Sequence, residues 1–171
     1  MRLSVEPVNG STRDAMLVLE VLPEHVAFSG LPSEALPLAE SDPQRIPMAV
    51  LESNPHKSGQ SDPGRVVGFF ALCRGEQVEH CASSATTMGF RAFLIDASKQ
   101  GKGYGTAVST VLREYLLGHH PEFTELNLTV DTANPRAYRA YLRAGFEDAG
   151  KLYHGGKAGP QHVLSLPLRR A

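Results

Sequence analysis

No apolar run in this sequence comes near the roughly 20 residues that cross a bilayer, and no apolar segment follows a basic start as it would in a secretory leader. A cytoplasmic chain is the expectation. Net charge is nearly absent: 17 Lys and Arg against 18 Asp and Glu leave −1. Without a basic excess there is little to neutralise phosphates, so neither a nucleic-acid nor a membrane partner is expected. Cysteine is scarce. Cys73 and Cys81 are the two present, with no CxxC pair, which argues against a disulfide framework and against zinc. They read as two buried or half-buried thiols. What remains is ordinary for a globule: 171 residues, 42% hydrophobic and 20% charged. That suits one domain, residues 1–171, with a core large enough to need no metal or disulfide staple.

There is no internal repeat. LSVEPV (3–8) reads as a strand and STRDAMLVLEVL (11–22) as a helix, with Ser11 or Thr12 as its N-cap and Asp14 in its first turn. Prolines at 23, 32, 37 and 43 limit the segment 23–44 to one or two short helices. IPMAVLE (46–52) and RVVGFFALC (65–73) read as antiparallel strands around the loop SNPHKSGQSDPG (53–64). A polar patch (75–87) precedes the strand TMGFRAFLID (87–96). GTAVSTVLREYLLGHH (105–120) is the clearest helix, with Val108, Val111, Leu112, Tyr115 and Leu116 forming one stripe, and Gly118 and Pro121 ending it. LNLTV (126–130) is a strand. Asn134 caps a helix over 135–144 that starts on Pro135 and stops at Gly145. Residues 146–153 and 162–168 form a closing strand pair. The order β-α(α)-β-β-β-α-β-α-β-β implies an α/β fold with a mixed sheet covered by helices.

The stretch QGKGYGT joins a strand to the long helix. Glycines at 101, 103 and 105 let the backbone turn tightly and come close to a ligand. The first helical turn has unpaired N–H donors and the positive dipole end, which together favour a phosphate. Lys102 adds charge. A plain strand-to-helix turn is the competing reading. The stretch is neither a P-loop nor the dinucleotide fingerprint GxGxxG, which would need a glycine where Thr106 stands. The antiparallel strands before it also argue against a dinucleotide-binding βαβ unit.

Gln100-x-x-Gly103-x-Gly105 resembles the [Q/R]-x-x-G-x-[G/A] signature of the GNAT family of N-acetyltransferases. Downstream, NPRAYRAYLRAGF (134–146) resembles that family's second motif, matched at Asn134, Ala137, Tyr141, Gly145 and Phe146. The resemblance covers about 65–168, and the run GFF…GFRAFLID…QGKGYG looks most like bacterial relatives of spermine/spermidine acetyltransferases. It implies a mostly antiparallel central sheet of six to seven strands flanked by about four helices. It also implies acetyl-CoA as co-substrate, with no metal. The cofactor would lie against Phe93, Leu94, Ile95, Gln100, Gly101, Lys102, Gly103, Tyr104, Gly105, Thr106 and Asn134. A bulge or splay between the strands at 87–96 and 126–130 would free backbone groups at 93–95 for the thioester arm. Many family members are homodimers, and that option stays open here.

By pattern alone Tyr138 and Tyr141 are core aromatics. The resemblance gives Tyr141 a second role, as the acid that protonates the departing thiolate; an ordinary phenol is protonated at neutral pH. Asn134 is a helix cap that would also touch the pantetheine arm. The acceptor would be a small-molecule amine. Its base could be Asp96, Asp131, His80 or Glu24, each of which also reads as a surface group. Glu24, Glu34, Glu40 and Asp42 suggest an acidic rim over 23–44 that would attract a polyamine, or simply a solvated loop. Phe28 and Leu31 either line a pocket or pack inward. A non-catalytic acyl-CoA-binding module is the alternative to an enzyme, and a pure binder would need no acid at Tyr141.

Overall fold

The computed structural model describes residues 2–53, 64–74 and 84–168. Strand β1 (Arg2–Pro7) leads into helices α1 (Gly10–Leu17), α2 (Pro23–Ser29) and α3 (Pro32–Ser41). Strands β2 (Arg45–Ser53), β3 (Arg65–Cys73) and β4 (Thr87–Ile95) follow, then a single 3-10 turn at Ala97–Lys99. Helix α4 (Tyr104–His119), β5 (Glu125–Asp131), α5 (Pro135–Arg143), β6 (Glu147–Tyr153) and β7 (Gln161–Pro167) complete the order that the sequence implies. Most of the loop over 53–64, most of the polar patch over 75–87, and with it His80 and Cys81, lie outside the described residues. No helix among the described residues is long and apolar enough to cross a membrane.

The seven strands form one sheet in the order β1-β2-β3-β4-β5-β7-β6. Each neighbouring pair is antiparallel except β4 with β5, which run parallel. Alternation along the strands sends side chains to two faces. On one face Val108, Leu112 and Leu116 of α4 pack against Met48, Val50, Phe70, Leu72, Met88 and Leu126. The apolar stripe of the long helix is thus its buried face. Truncating one of these leucines to alanine costs about 2–5 kcal/mol. On the other face Met16, Leu36 and Ala39 of α1 and α3 cover Ala49, Leu51, Phe69 and Leu94.

Two local expectations are corrected. Helix α1 is capped by Asn9, whose Oδ1 accepts from the N–H groups of Ser11 (3.0 Å) and Thr12 (3.1 Å). Thr12 Oγ1 accepts in return from Asn9 N–H at 3.0 Å, closing a capping box. The helix therefore starts earlier than expected, and Asp14 falls beyond its first turn. Second, Gly118 lies inside α4; the helix runs to His119 and is capped by His120, whose N–H still reaches Leu116 O at 2.8 Å. Burial of Leu116 holds that last turn against the weak helix propensity of glycine. The segment 23–44 holds two short helices, as expected; Pro37 sits within α3, where the buried Leu36 and Ala39 beside it fasten the helix to the sheet. Pro23 and Pro32 begin their helices, where a missing N–H costs nothing.

Candidate active site

Strands β4 and β5 separate soon after they meet. Their ladder covers Thr87–Gly89 against Glu125–Asn127 and goes no further. From Phe90 onward the two strands diverge, and the edge of β4 that faces β5 has no ladder partner. On its other side β4 is bulged. Phe69 pairs with Leu94 and Ala71 with Arg91, so Ala92 and Phe93 together oppose Phe70. Ala92 takes a left-handed φ of 54°, the one non-glycine residue with positive φ among those described. An L-residue there costs about 1–2 kcal/mol. Phe90, Phe93 and Phe70 pack around the bulge in tilted and edge-to-face contacts, with Phe90–Phe93 ring centroids 5.3 Å apart. This packing fixes the bulge in place.

The glycine turn closes one end of the opening. Gly101 (φ 74°) and Gly103 (φ 83°) are left-handed, and a side chain at Gly103 would meet nothing within 4 Å. None of the N–H groups from Gly101 to Thr106 has a protein acceptor in hydrogen-bond geometry among the described residues. The first ladder bond at the head of α4 is Ala107 N–H to Gly103 O at 3.1 Å. Side chains brace the turn from outside. Gln100 Nε2 donates to Ile95 O at 3.0 Å and Lys102 Nζ to Ser98 O at 2.9 Å. The Tyr104 ring is buried, and its hydroxyl donates to Glu52, which also receives Lys99 Nζ. Lys99 and the Tyr104 hydroxyl hold the Glu52 carboxyl below the usual carboxylate range. Tyr104 can therefore offer a ligand its backbone N–H, while its side chain anchors the turn to β2.

Helix α5 forms the opposite wall. Asn134 Oδ1 accepts from Ala137 N–H at 3.1 Å, the expected cap. Tyr141 lies edge-on to Phe90 (6.4 Å) and Phe146 (5.5 Å). Its hydroxyl has no hydrogen-bond partner among the described residues, and burial raises its pKa well above the ordinary phenol value. The group stays protonated at any working pH. Tyr138 points elsewhere, its hydroxyl donating to Asp148 at 2.8 Å. Arg136 was not singled out in the sequence. Its Nη2 is 3.5 Å from where a Cβ on Gly101 would stand, so its guanidinium overhangs the turn.

These parts share one cleft of about 340 Å³. Phe93, Leu94, Ile95, Gln100, Gly101, Gly103, Tyr104, Gly105, Thr106, Asn134 and Tyr141 all line it, together with His25, Phe28 and Arg91. Lys102 does not line it. Of the proposed bases, Asp131 lines the cleft; Asp96 and Glu24 do not. Burial alone would raise the Asp96 pKa, but hydrogen bonds from Ser98 and from Glu20 N–H outweigh it and keep the group ionised. It is a structural cap. Of the two readings of the acids in 23–44, the solvated one is what the structure has. Glu40 binds Arg13 (2.8 Å) and Asp42 binds Arg45 (3.1 Å), while Glu24 and Glu34 sit in exposed first turns that favour acidic residues. None of the four reaches the cleft, because α3 turns Leu36 and Ala39 to the sheet and its acids outward. Phe28 lines the cleft; Leu31 stays at the surface. Among the described residues no group of three or more His, Cys, Asp or Glu is arranged to hold a metal ion.

A strand pair that parts beside a bulge, with a glycine turn and a capped helix next to it, is the arrangement that the comparisons place in a known family. Residues 26–146 match the Acetyltransferase (GNAT) family, and the chain belongs to it. It is 28% identical over 138 residues to the uncharacterized N-acetyltransferase YbbJ of Bacillus subtilis, covering 80% of this chain and 79% of that one. It is 42% identical over 89 residues to an aminoglycoside N(6')-acetyltransferase type 1 of Klebsiella pneumoniae, a match spanning 52% of this chain and 44% of that protein. The fold is shared with spermidine N-acetyltransferase of Vibrio cholerae, solved with CoA and spermine (TM-score 0.68, 15% identity, 97% and 95% of the two chains). It is shared as well with an aminoglycoside acetyltransferase solved with coenzyme A and kanamycin (TM-score 0.70, 19% identity, 97% and 95%).

Proposed function

We propose that this acyltransferase moves an acetyl group from acetyl-CoA to a primary amine of a small molecule, by direct attack in a ternary complex. The observation that carries the reading is the row of unpaired N–H groups from Gly101 to Thr106. It stands at the head of α4, where the cleft leads through the β4–β5 opening to Tyr141. Six donors at a positive helix end form a site for the coenzyme's diphosphate. Arg136, overhanging Gly101, adds a guanidinium to it. Gln100 and Lys102 keep the turn in shape. The relatives solved with CoA or coenzyme A share this fold, which agrees with the reading.

The pantetheine arm would run along the open edge of β4 beside Phe93, Leu94 and Ile95, where the ladder to β5 has ended, with Asn134 on the other side. Donors there polarise the thioester carbonyl and hold the oxyanion that forms on it. The amine nitrogen attacks the carbonyl carbon, a C–N bond forms, and the C–S bond breaks. The thiolate takes a proton from Tyr141, the nitrogen loses one to solvent, and solvent returns one to Tyr141, so no net proton is gained or lost. An amine with a pKa near 10.4 costs about 4.6 kcal/mol to deprotonate at pH 7, so a base or water chain at Asp131 is useful. No enzyme nucleophile is required.

The test is free-thiol release from acetyl-CoA with an amine panel. Acceptor-dependent thiol is expected. Tight binding of acetyl-CoA with no thiol for any amine would leave a binding module instead of an enzyme.

A further inference from the structure

The acceptor side of the cleft lies on the α1–α3 face of the sheet. Leu126, Leu128 and Val130 of β5 pack on the α4 side, so Thr129 and Asp131 point the other way. Arg91 is registered with Ala71, a residue of the α1–α3 face, and so projects to that same side. Both Arg91 and Asp131 line the cleft. They stand on opposite banks of the strand opening, one basic and one acidic.

The charge balance of the lining is positive. Arg91, Lys99, Arg136 and Arg143 face a single carboxylate, Asp131. Lys99 is already spent on Glu52. Arg136 and Arg143 belong to α5, on the cofactor wall. Arg91 is the cation left to the acceptor. It is half-buried and has no ion pair or hydrogen bond among the described residues. A guanidinium has five donors in a planar fork suited to a carboxylate or phosphate, and withdrawing it from water without an acceptor is costly. Asp131 is buried, with Oδ1 3.3 Å from Gln161 Nε2. The polycations named for the relatives would set further ammonium groups against Arg91.

We infer that the acceptor is an amine that also carries an anionic group, a carboxylate or a phosphate, with Arg91 gripping the anion and Asp131 facing the amine. This rests on the proposed acetyl transfer and leaves its bond changes as given above.

The experiment uses matched acceptors that differ in the anion: 4-aminobutyrate against butylamine, lysine against cadaverine, O-phosphoethanolamine against ethanolamine, with spermidine as a polycation. Carboxylate and phosphate arms separate the two anion types. The anionic member of at least one pair is expected to have a kcat/KM at least tenfold above its twin and above spermidine. Arg91→Gln should shrink that preference about tenfold, and Arg91→Lys should restore part of it. Calorimetry with acetyl-CoA shows that each variant keeps its cofactor groove. The inference is overturned if no anionic amine outruns its twin, if spermidine leads, or if Arg91→Gln leaves the preference intact. A wild type that binds no acetyl-CoA is a separate result, which sinks the proposed function and this inference with it.

Discussion

Tyr141 lines the cleft with its ring held by packing and its hydroxyl without a hydrogen-bond partner among the described residues. Phe90 and Phe146 fix its ring edge-on, and burial keeps its proton on. A phenol in that state can donate to a leaving thiolate but cannot act as a base. Tyr141→Phe should therefore cut kcat about a hundredfold, in the range of a general acid, with little change in the KM for acetyl-CoA. Steady-state kinetics with acetyl-CoA varied checks this. A matching rise in KM with kcat preserved would make Tyr141 a packing residue. The residue was legible in the sequence through its place in NPRAYRAYLRAGF, and Asn134 through its position before Pro135. Arg91 and Arg136 were not picked out. Arg91 did leave a signal, a charged residue within the apolar run TMGFRAFLI, where a strand buried on both faces would have none. Arg136 left none, since a helix so rich in arginine gives no reason to prefer one.

At the scale of elements, the glycine turn is held by a contact from far away in the chain. Glu52 at the end of β2 joins Lys99 before the turn and Tyr104 after it. No local pattern could announce that link, because it depends on which strand lies beneath the turn. A bulge or splay in this strand was implied by the resemblance, but its position at Ala92 was not legible: alanine carries no mark of a left-handed φ. The helices themselves were readable from stripe and cap, and the errors fell at their ends, where Asn9 and buried Leu116 outweighed the residues expected to decide. Glu52 also gives a pH prediction. Its folded pKa is lowered by Lys99 and Tyr104, so the stability it contributes is complete above the ordinary glutamate pKa of about 4.3 and is lost as pH falls through the folded value. Thermal melts between pH 7 and 3 should show wild type losing more stability on acidification than Glu52→Gln. The variant should bind acetyl-CoA more weakly at pH 7. Parallel pH slopes for the two proteins would mean that the contact contributes nothing.

For the whole molecule, the sheet acts as a frame with one opening. Antiparallel pairing is continuous from β1 to β4 and from β5 to β6, and the parallel β4–β5 junction is where it fails. Two motifs far apart in sequence, 100–105 and 134–146, meet across that gap, which is why their order along the chain was informative before any coordinates. Charge was the least legible property. Counting acids in 23–44 left an acidic mouth and a solvated loop both open, and only the coordinates decide: ion pairs to Arg13 and Arg45 and outward-facing helix turns keep those acids out of the cleft. The central claim is that bare amides at residues 101–106 receive the coenzyme's diphosphate. A crystal structure with CoA tests it most directly. Diphosphate oxygens should lie about 3 Å from several of those nitrogens, with the sulfur directed to Tyr141. Coenzyme bound elsewhere, or a turn left empty under saturating CoA, would contradict the account.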